Sequence, residues 1–134
     1  MGILIDASII IAAQRGRLDL ERHLASHQQE SAFLSVITAS ELLHGVDRAK
    51  DDRVHDRRTA FVEAILAELP VIVINLDDAR LHSRIWADLA AKGTMIGPHD
   101  LWLAAQCRAR DLTMVTNNVR EFERVSGLAV ESWA

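Results

Sequence analysis

Four short apolar runs punctuate the chain: Ile3-Leu4-Ile5, Ala32-Phe33-Leu34-Ser35, Val71-Ile72-Val73-Ile74 and Leu112-Thr113-Met114-Val115. A weaker fifth lies at Leu128-Ala129-Val130. The runs are continuous rather than alternating, which is how strands buried on both faces read. Helical stretches separate them. Ser8 to Gln14 is apolar and ends near Gly16. Ile37 to Arg48 carries the stripe Ala39, Leu42, Leu43, Val46, and Val54 to Leu69 carries Phe61, Ile65, Leu66, Leu69. Asp77 to Lys92 carries His82, Ile85, Trp86, Leu89, and Pro98 to Arg110 follows. The most polar stretch, Asp47 to Arg58, reads as a turn between two helices.

Strands that alternate with helices predict an α/β chain: a parallel sheet with helices on both faces. Right-handed crossovers bring the strand C-termini to one edge, where such sheets bind ligands. No repeat, low-complexity tract or linker interrupts the pattern, so residues 1–134 are expected to form a single domain.

Nearly half the residues are apolar and a quarter are charged, which is globular rather than disordered composition. No run is long and apolar enough to span a bilayer. The start of the chain has neither a basic segment nor a cleavage site for export. The lone Cys107 has no intrachain partner, so a reducing, cytoplasmic setting is expected. The net charge of −4 offers no general grip on nucleic acid. Only Lys50 and Lys92 are lysines; the other cations are arginines, whose planar donor fork matches phosphate. Codon bias in a GC-rich genome explains that equally well, and so does a basic rim around an acidic pocket.

Three acids stand where an ordinary fold has little use for them. Asp6 ends the first apolar run, Glu41 follows the second, and Asp100 follows Gly97-Pro98-His99. If these places meet, their carboxylates repel unless protons or a cation neutralise them. A hard divalent ion such as Mg²⁺ or Mn²⁺ is the natural occupant, and such sites do phosphate chemistry. Each acid also has a bland role. Asp6 is placed to cap the helix near Ser8. Asp100 complements a helix dipole, although that does not explain why it tops the small apolar face Leu103, Ala104, Cys107. Glu41 lies opposite its helix's apolar stripe, with His44 and Arg48, as a solvated residue would. Thr116-Asn117-Asn118 reads as a turn and N-cap, with Glu121 at capping-box spacing from Asn118. His23 and His27 are four apart on a segment that reads as helical, a zinc-like spacing with no third ligand in sight.

At this point the order of pieces resembles the PIN-domain family, and within it the VapC toxins of bacterial toxin–antitoxin pairs. The matching pieces are Ile5-Asp6-Ala7-Ser8, Ser35 to Gly45, Gly97 to Ala104, Val115 to Phe122 and the tail Gly127-Leu128 to Trp133. The resemblance implies a three-layer α/β/α sandwich with a mostly parallel sheet of four to five strands. It implies a metal-dependent endoribonuclease in which Asp6, Glu41 and Asp100 ligate Mg²⁺ or Mn²⁺. Asn118 and Glu121 join them as catalytic candidates, with Ser8 and Thr116 in support. Many family members carry a fourth acid where this chain has Asn118, and Glu121 is the candidate to replace it. One ion or two is left open by that change. The implied reaction is in-line attack of water on an RNA phosphodiester, with Glu41 a candidate to orient the water. The resemblance further implies an antitoxin partner of the VapB kind and a homodimer, with Trp102 a candidate contact.

Two other readings stand beside this one. A receiver-type phosphoacceptor fits poorly, because the third apolar run ends in Asn75-Leu76-Asp77 rather than in an acceptor Asp. A catalytically inactive PIN-fold binding module would keep the fold without the chemistry.

Overall fold

The structure, a computed structural model, describes residues 2–133. At its centre is β1 (Gly2–Ile5), flanked by β2 (Ser31–Ser35) on one side and β4 (Leu112–Val115) on the other. β3 (Val71–Ile72) lies outside β2, and β5 (Val130–Glu131) lies outside β4. Every pairing is parallel, with Ile3 opposite both Ala32 and Thr113. Gly2 is required by close packing: a Cβ there would lie 2.7 Å from Leu112 Cδ2 and 3.0 Å from the Ser31 carbonyl oxygen.

Alternate residues of β1 feed two cores. Ile3 and Ile5 pack with helices α1 (Ala7–Gln14), α2 (Leu20–Ser26), α3 (Val36–Asp47) and α4 (Asp52–Glu68). Leu4 points the other way, into the core made with α5 (Leu76–Lys92), α6 (Pro98–Arg110) and α7 (Val119–Phe122). β1 is fully buried on both faces, which is why its apolar run is unbroken. The three-layer α/β/α sandwich is therefore as expected.

The same logic fails at the sheet edge. Only Val71 and Ile72 of the third apolar run form a strand, and Val71, Val73 and Ile74 are exposed. An edge strand with two residues needs no second buried face. β5 also lies one residue beyond its expected end, at Val130–Glu131. The polar turn expected from Asp47 to Arg58 is shorter, because α4 begins at Asp52 behind the Asp51 cap. Leu43 and Trp86 were expected inside their helix stripes but are exposed. Leu42 and Val46 fill the α3 contact without Leu43, and Trp86 lies edge-on to His82 in a T-shaped pair at 5.8 Å.

A charged clamp joins the second helical layer. Asp78 is fully buried and closes a capping box with Asn75 at the start of α5. Arg110, in the last turn of α6, holds both its oxygens, with Nη1 at 2.5 Å and Nη2 at 3.1 Å. Cys107 is buried beside Met114, and burial pushes its thiol far above the ordinary range, so it is inert.

Candidate active site

The chain runs from β1 outward to β2 and β3, then returns to add β4 on the other side of β1. The order reverses between β1 and β4, and open α/β sheets carry their ligand crevice at that point, outside the strand C-termini. Asp6 leaves β1 there and Thr116 leaves β4 there. The Asp6 amide donates to the Val115 carbonyl at 2.9 Å, which locks the two strand ends side by side.

Asp6 occupies the N-cap position of α1, with φ −73° and ψ 154°, yet its side chain caps nothing. Its Oδ2 instead accepts from two hydroxyls, Ser8 Oγ at 2.8 Å and Thr116 Oγ1 at 2.8 Å. Neither hydroxyl is loose. Ser8 Oγ accepts from the Asn117 amide at 3.0 Å, and Thr116 Oγ1 accepts from the Asn118 amide at 2.9 Å. Backbone donors thus orient the hydroxyls, and the hydroxyls orient the carboxylate. Both hydroxyls use the same oxygen, which leaves the Oδ1 side to face another group.

Asp100 lies in the first turn of α6, over the buried face of Leu103, Ala104 and Cys107. Glu121, on α7, comes to it from across the turn. Glu121 Oε1 accepts the Gly97 amide at 2.6 Å, and Oε2 accepts Asn118 Nδ2. A Cβ on Gly97 would sit 3.6 Å from Glu121 Oε1 and 3.7 Å from Asp100 Oδ2, so the two carboxyls flank that glycine. The expected Asn118–Glu121 capping box does not form, because Asn118 gives its amide to the Glu121 side chain instead of capping α7.

The electrostatics record the crowding. The Asp100 carboxyl is pushed up to about 8, first by burial, then by its hydrogen bond with Glu121 and by the charges of Asp6, Glu121 and Glu41. Burial works on Glu121 in the same direction. The Gly97 amide, the bond with Asp100, the Asn118 amide and the Arg124 charge outweigh it and hold Glu121 below its ordinary value. The two carboxyls are thus pushed in opposite directions, Asp100 up and Glu121 down.

Glu41 reaches the site from α3, and its charge acts on Asp100. Its carboxylate is turned toward His99, with Oε1 2.9 Å from His99 Nδ1. No pattern in the chain singles out His99; its place immediately before Asp100 is the one local signal for it. Among the described residues no three His, Cys, Asp or Glu side chains lie close enough, as oriented, to share one ion. The donor set nonetheless suits a hard divalent cation: carboxylate oxygens from Asp6, α3, α6 and α7, with burial and neighbouring negative charge raising Asp100 in a way a cation would oppose.

His23 and His27 have a different occupation. His23 stacks on Trp133 at 4.9 Å, and His27 bonds the His23 carbonyl and Glu131 Oε2. They fasten the C-terminal strand to α2. Trp102, the candidate dimer contact, stacks on His82 within its own chain at 3.7 Å.

The fold defines the class: a parallel α/β sandwich that carries acidic side chains at its switch point. Comparison with known proteins makes the class specific. The PIN-domain pattern matches residues 3–128, and the chain belongs to the PIN-domain family. It is 34% identical over 130 residues to the ribonuclease VapC1 of Rickettsia felis, covering 97% of this chain and 95% of that one. It is 31% identical over 131 residues to the tRNA(fMet)-specific endonuclease VapC of Shigella flexneri, covering 98% and 97%. Among solved structures it superposes on DNA-bound VapBC from Salmonella typhimurium with a TM-score of 0.90, 30% identity and coverage of 100% and 99%. No helix among the described residues is long and apolar enough to cross a membrane.

Proposed function

We propose that the protein is the toxin of a toxin–antitoxin pair and cleaves RNA as an Mg²⁺- or Mn²⁺-dependent endoribonuclease. The observation that carries this reading is that Asp6, Glu121 and Glu41 all bring their charges to bear on the half-buried Asp100 carboxyl at one strand edge. The ribonuclease relatives, matched along nearly their whole length, support the reaction class, and the VapBC complex supports an antitoxin partner.

Asp6, Glu41 and Asp100 are the residues that would hold the ion, with Glu121 orienting Asp100 from beside it. When bound, a divalent cation supplies Lewis-acid polarisation of the phosphate and a more acidic water. The chain's own residues do the rest. Ser8 and Thr116 fix the Asp6 carboxylate, and Asn118 with the Gly97 amide fixes Glu121. Glu41, released from His99, orients the attacking water. Asn118 puts an amide where many family members carry an acid and spends it on Glu121, which leaves fewer free carboxylates for a second ion.

The test is cleavage of labelled total RNA by antitoxin-free protein with Mg²⁺, Mn²⁺ or EDTA, beside Asp100→Asn. Discrete products that vanish with EDTA and with the variant support the reading. No cleavage by folded wild type with either metal would favour the inactive binding module, and cleavage that survives both treatments would refute the carboxylate site.

A further inference from the structure

Beside the acidic crevice, between α1, α3 and α4, runs a groove of about 630 Å³. Glu41, whose charge also bears on Asp100, is among its lining residues, together with Arg15, Arg48, Arg57 and Arg58. Four of the chain's fifteen Lys and Arg residues therefore face one groove in a protein whose net charge is −4. Among the described residues none of these four guanidinium groups has a carboxylate at ion-pair distance. Arg15, Arg48 and Arg57 are exposed, while Arg58 is half-buried and donates to the Gly45 carbonyl at 2.8 Å. That bond anchors one fork along the wall. The floor is apolar, with Leu42 and Phe61 among its residues.

We infer that this groove is the track for a single-stranded RNA segment adjoining the scissile phosphate; the inference rests on the proposed nuclease reading and adds to it. Three observations select this occupant. The groove shares Glu41 with the acidic crevice, so a strand lying in it leads into the site. The acids at that crevice repel phosphate, and unpaired guanidinium groups alongside supply the opposite charge where a polyanion must approach. Sequence-specific RNA binding targets unpaired segments whose bases turn onto apolar, aromatic or guanidinium surfaces, and the floor offers such a surface between phosphate-binding walls. Arg15, Arg48 and Arg57 contact phosphates; Arg58 shapes the wall.

The test measures binding apart from cleavage. A short fluorescein-labelled single-stranded RNA is titrated by anisotropy against the full chain carrying Asp100→Asn, over a series of salt concentrations. Into this background go Arg15→Gln with Arg57→Gln, and separately Arg80→Gln on exposed α5 as a control. Each lost phosphate contact on a single strand should flatten the plot of log affinity against log salt by about 0.7, so the double variant should flatten it by roughly 1.4. The Arg80 variant should match its parent. Circular dichroism melting checks that all variants are folded. A double variant with the parent's affinity and salt slope overturns the proposal. So does one that binds RNA normally but loses binding to poly-glutamate, which would make the groove a seat for an acidic protein segment. Either result leaves the nuclease reading standing, because that reading is judged by EDTA-sensitive cleavage in a background with Asp100 intact.

Discussion

Glu121 Oε1 accepts the Gly97 amide at 2.6 Å across 24 residues, tying the α7 carboxylate to the residue that precedes α6. One oxygen thus positions the turn that presents Asp100, while the charge of the same group bears on Asp100 itself. The two roles separate by substitution. Glu121→Gln keeps an acceptor for Gly97 and removes the charge; Glu121→Ala removes both. Outer groups that orient metal ligands typically matter by about 10–100-fold, so both variants should lose cleavage on that scale. Only the alanine should also lower the melting temperature. Wild-type cleavage by Glu121→Gln would remove its charge from the site.

Thr116 is fully buried, and its hydroxyl serves Asp6 and the Asn118 amide together. Thr116→Val should cost about 1–3 kcal/mol in urea unfolding, because the buried Asp6 carboxylate loses a donor and the Asn118 amide its acceptor. Calorimetric titration should show Mn²⁺ affinity falling by roughly 10–100-fold. Ser8→Ala should weaken Mn²⁺ in the same direction with less effect on stability, since Thr116 still holds Oδ2. Unchanged Mn²⁺ affinity in both variants would show that the Asp6 orientation is irrelevant to the ion.

Arg110→Ala leaves Asp78 fully buried without its bidentate partner. Breaking a buried pair from one side costs about 3–5 kcal/mol, and Arg110 is partly exposed, so about 3 kcal/mol is expected by denaturant unfolding. Adding Asp78→Asn to that variant should recover part of the loss. A loss near zero would mean that water replaces the guanidinium.

His27 gives a pH dependence away from the acids. Its pKa is raised above 6.5 chiefly by the bond to the His23 carbonyl; burial opposes this, and the hydrogen bond and charge of Glu131, with Glu30, add to it. A raised folded value means that the protonated ring stabilises the fold. That contribution is complete below pH 6.5 and is lost as pH rises through the folded value. His27→Gln should flatten this part of the melting-temperature profile. An identical profile in wild type and variant would exclude the latch as its source.

The sequence made the central parts of this fold readable and the margins less so. β1 is covered on both faces, so its burial is written directly as Ile3-Leu4-Ile5. Val73 and Ile74 look the same in sequence but lie past the end of an edge strand, where their partners are too few to bury them. Asp6 could be located but not assigned by pattern: the cap position and the site position coincide, and only the hydroxyls of Ser8 and Thr116 distinguish them. Asn118 and Glu121 had the spacing of a backbone cap, while the pairing they form is between side chains. The His99 contact with Glu41 joins residues 58 apart, and no local pattern carries such information.

The hydrogen bond between Thr116 and Asp6 spans 110 positions. Asp6 and Glu41 are synthesised early, Asp100 and Thr116 late, and Glu121 later still. A nascent chain therefore holds half of the carboxylates long before the partners that aim them exist. If these residues make the blade, it is assembled only when β4 docks against β1, and a ribosome translating this protein does not meet it before residues 112–121 have been made.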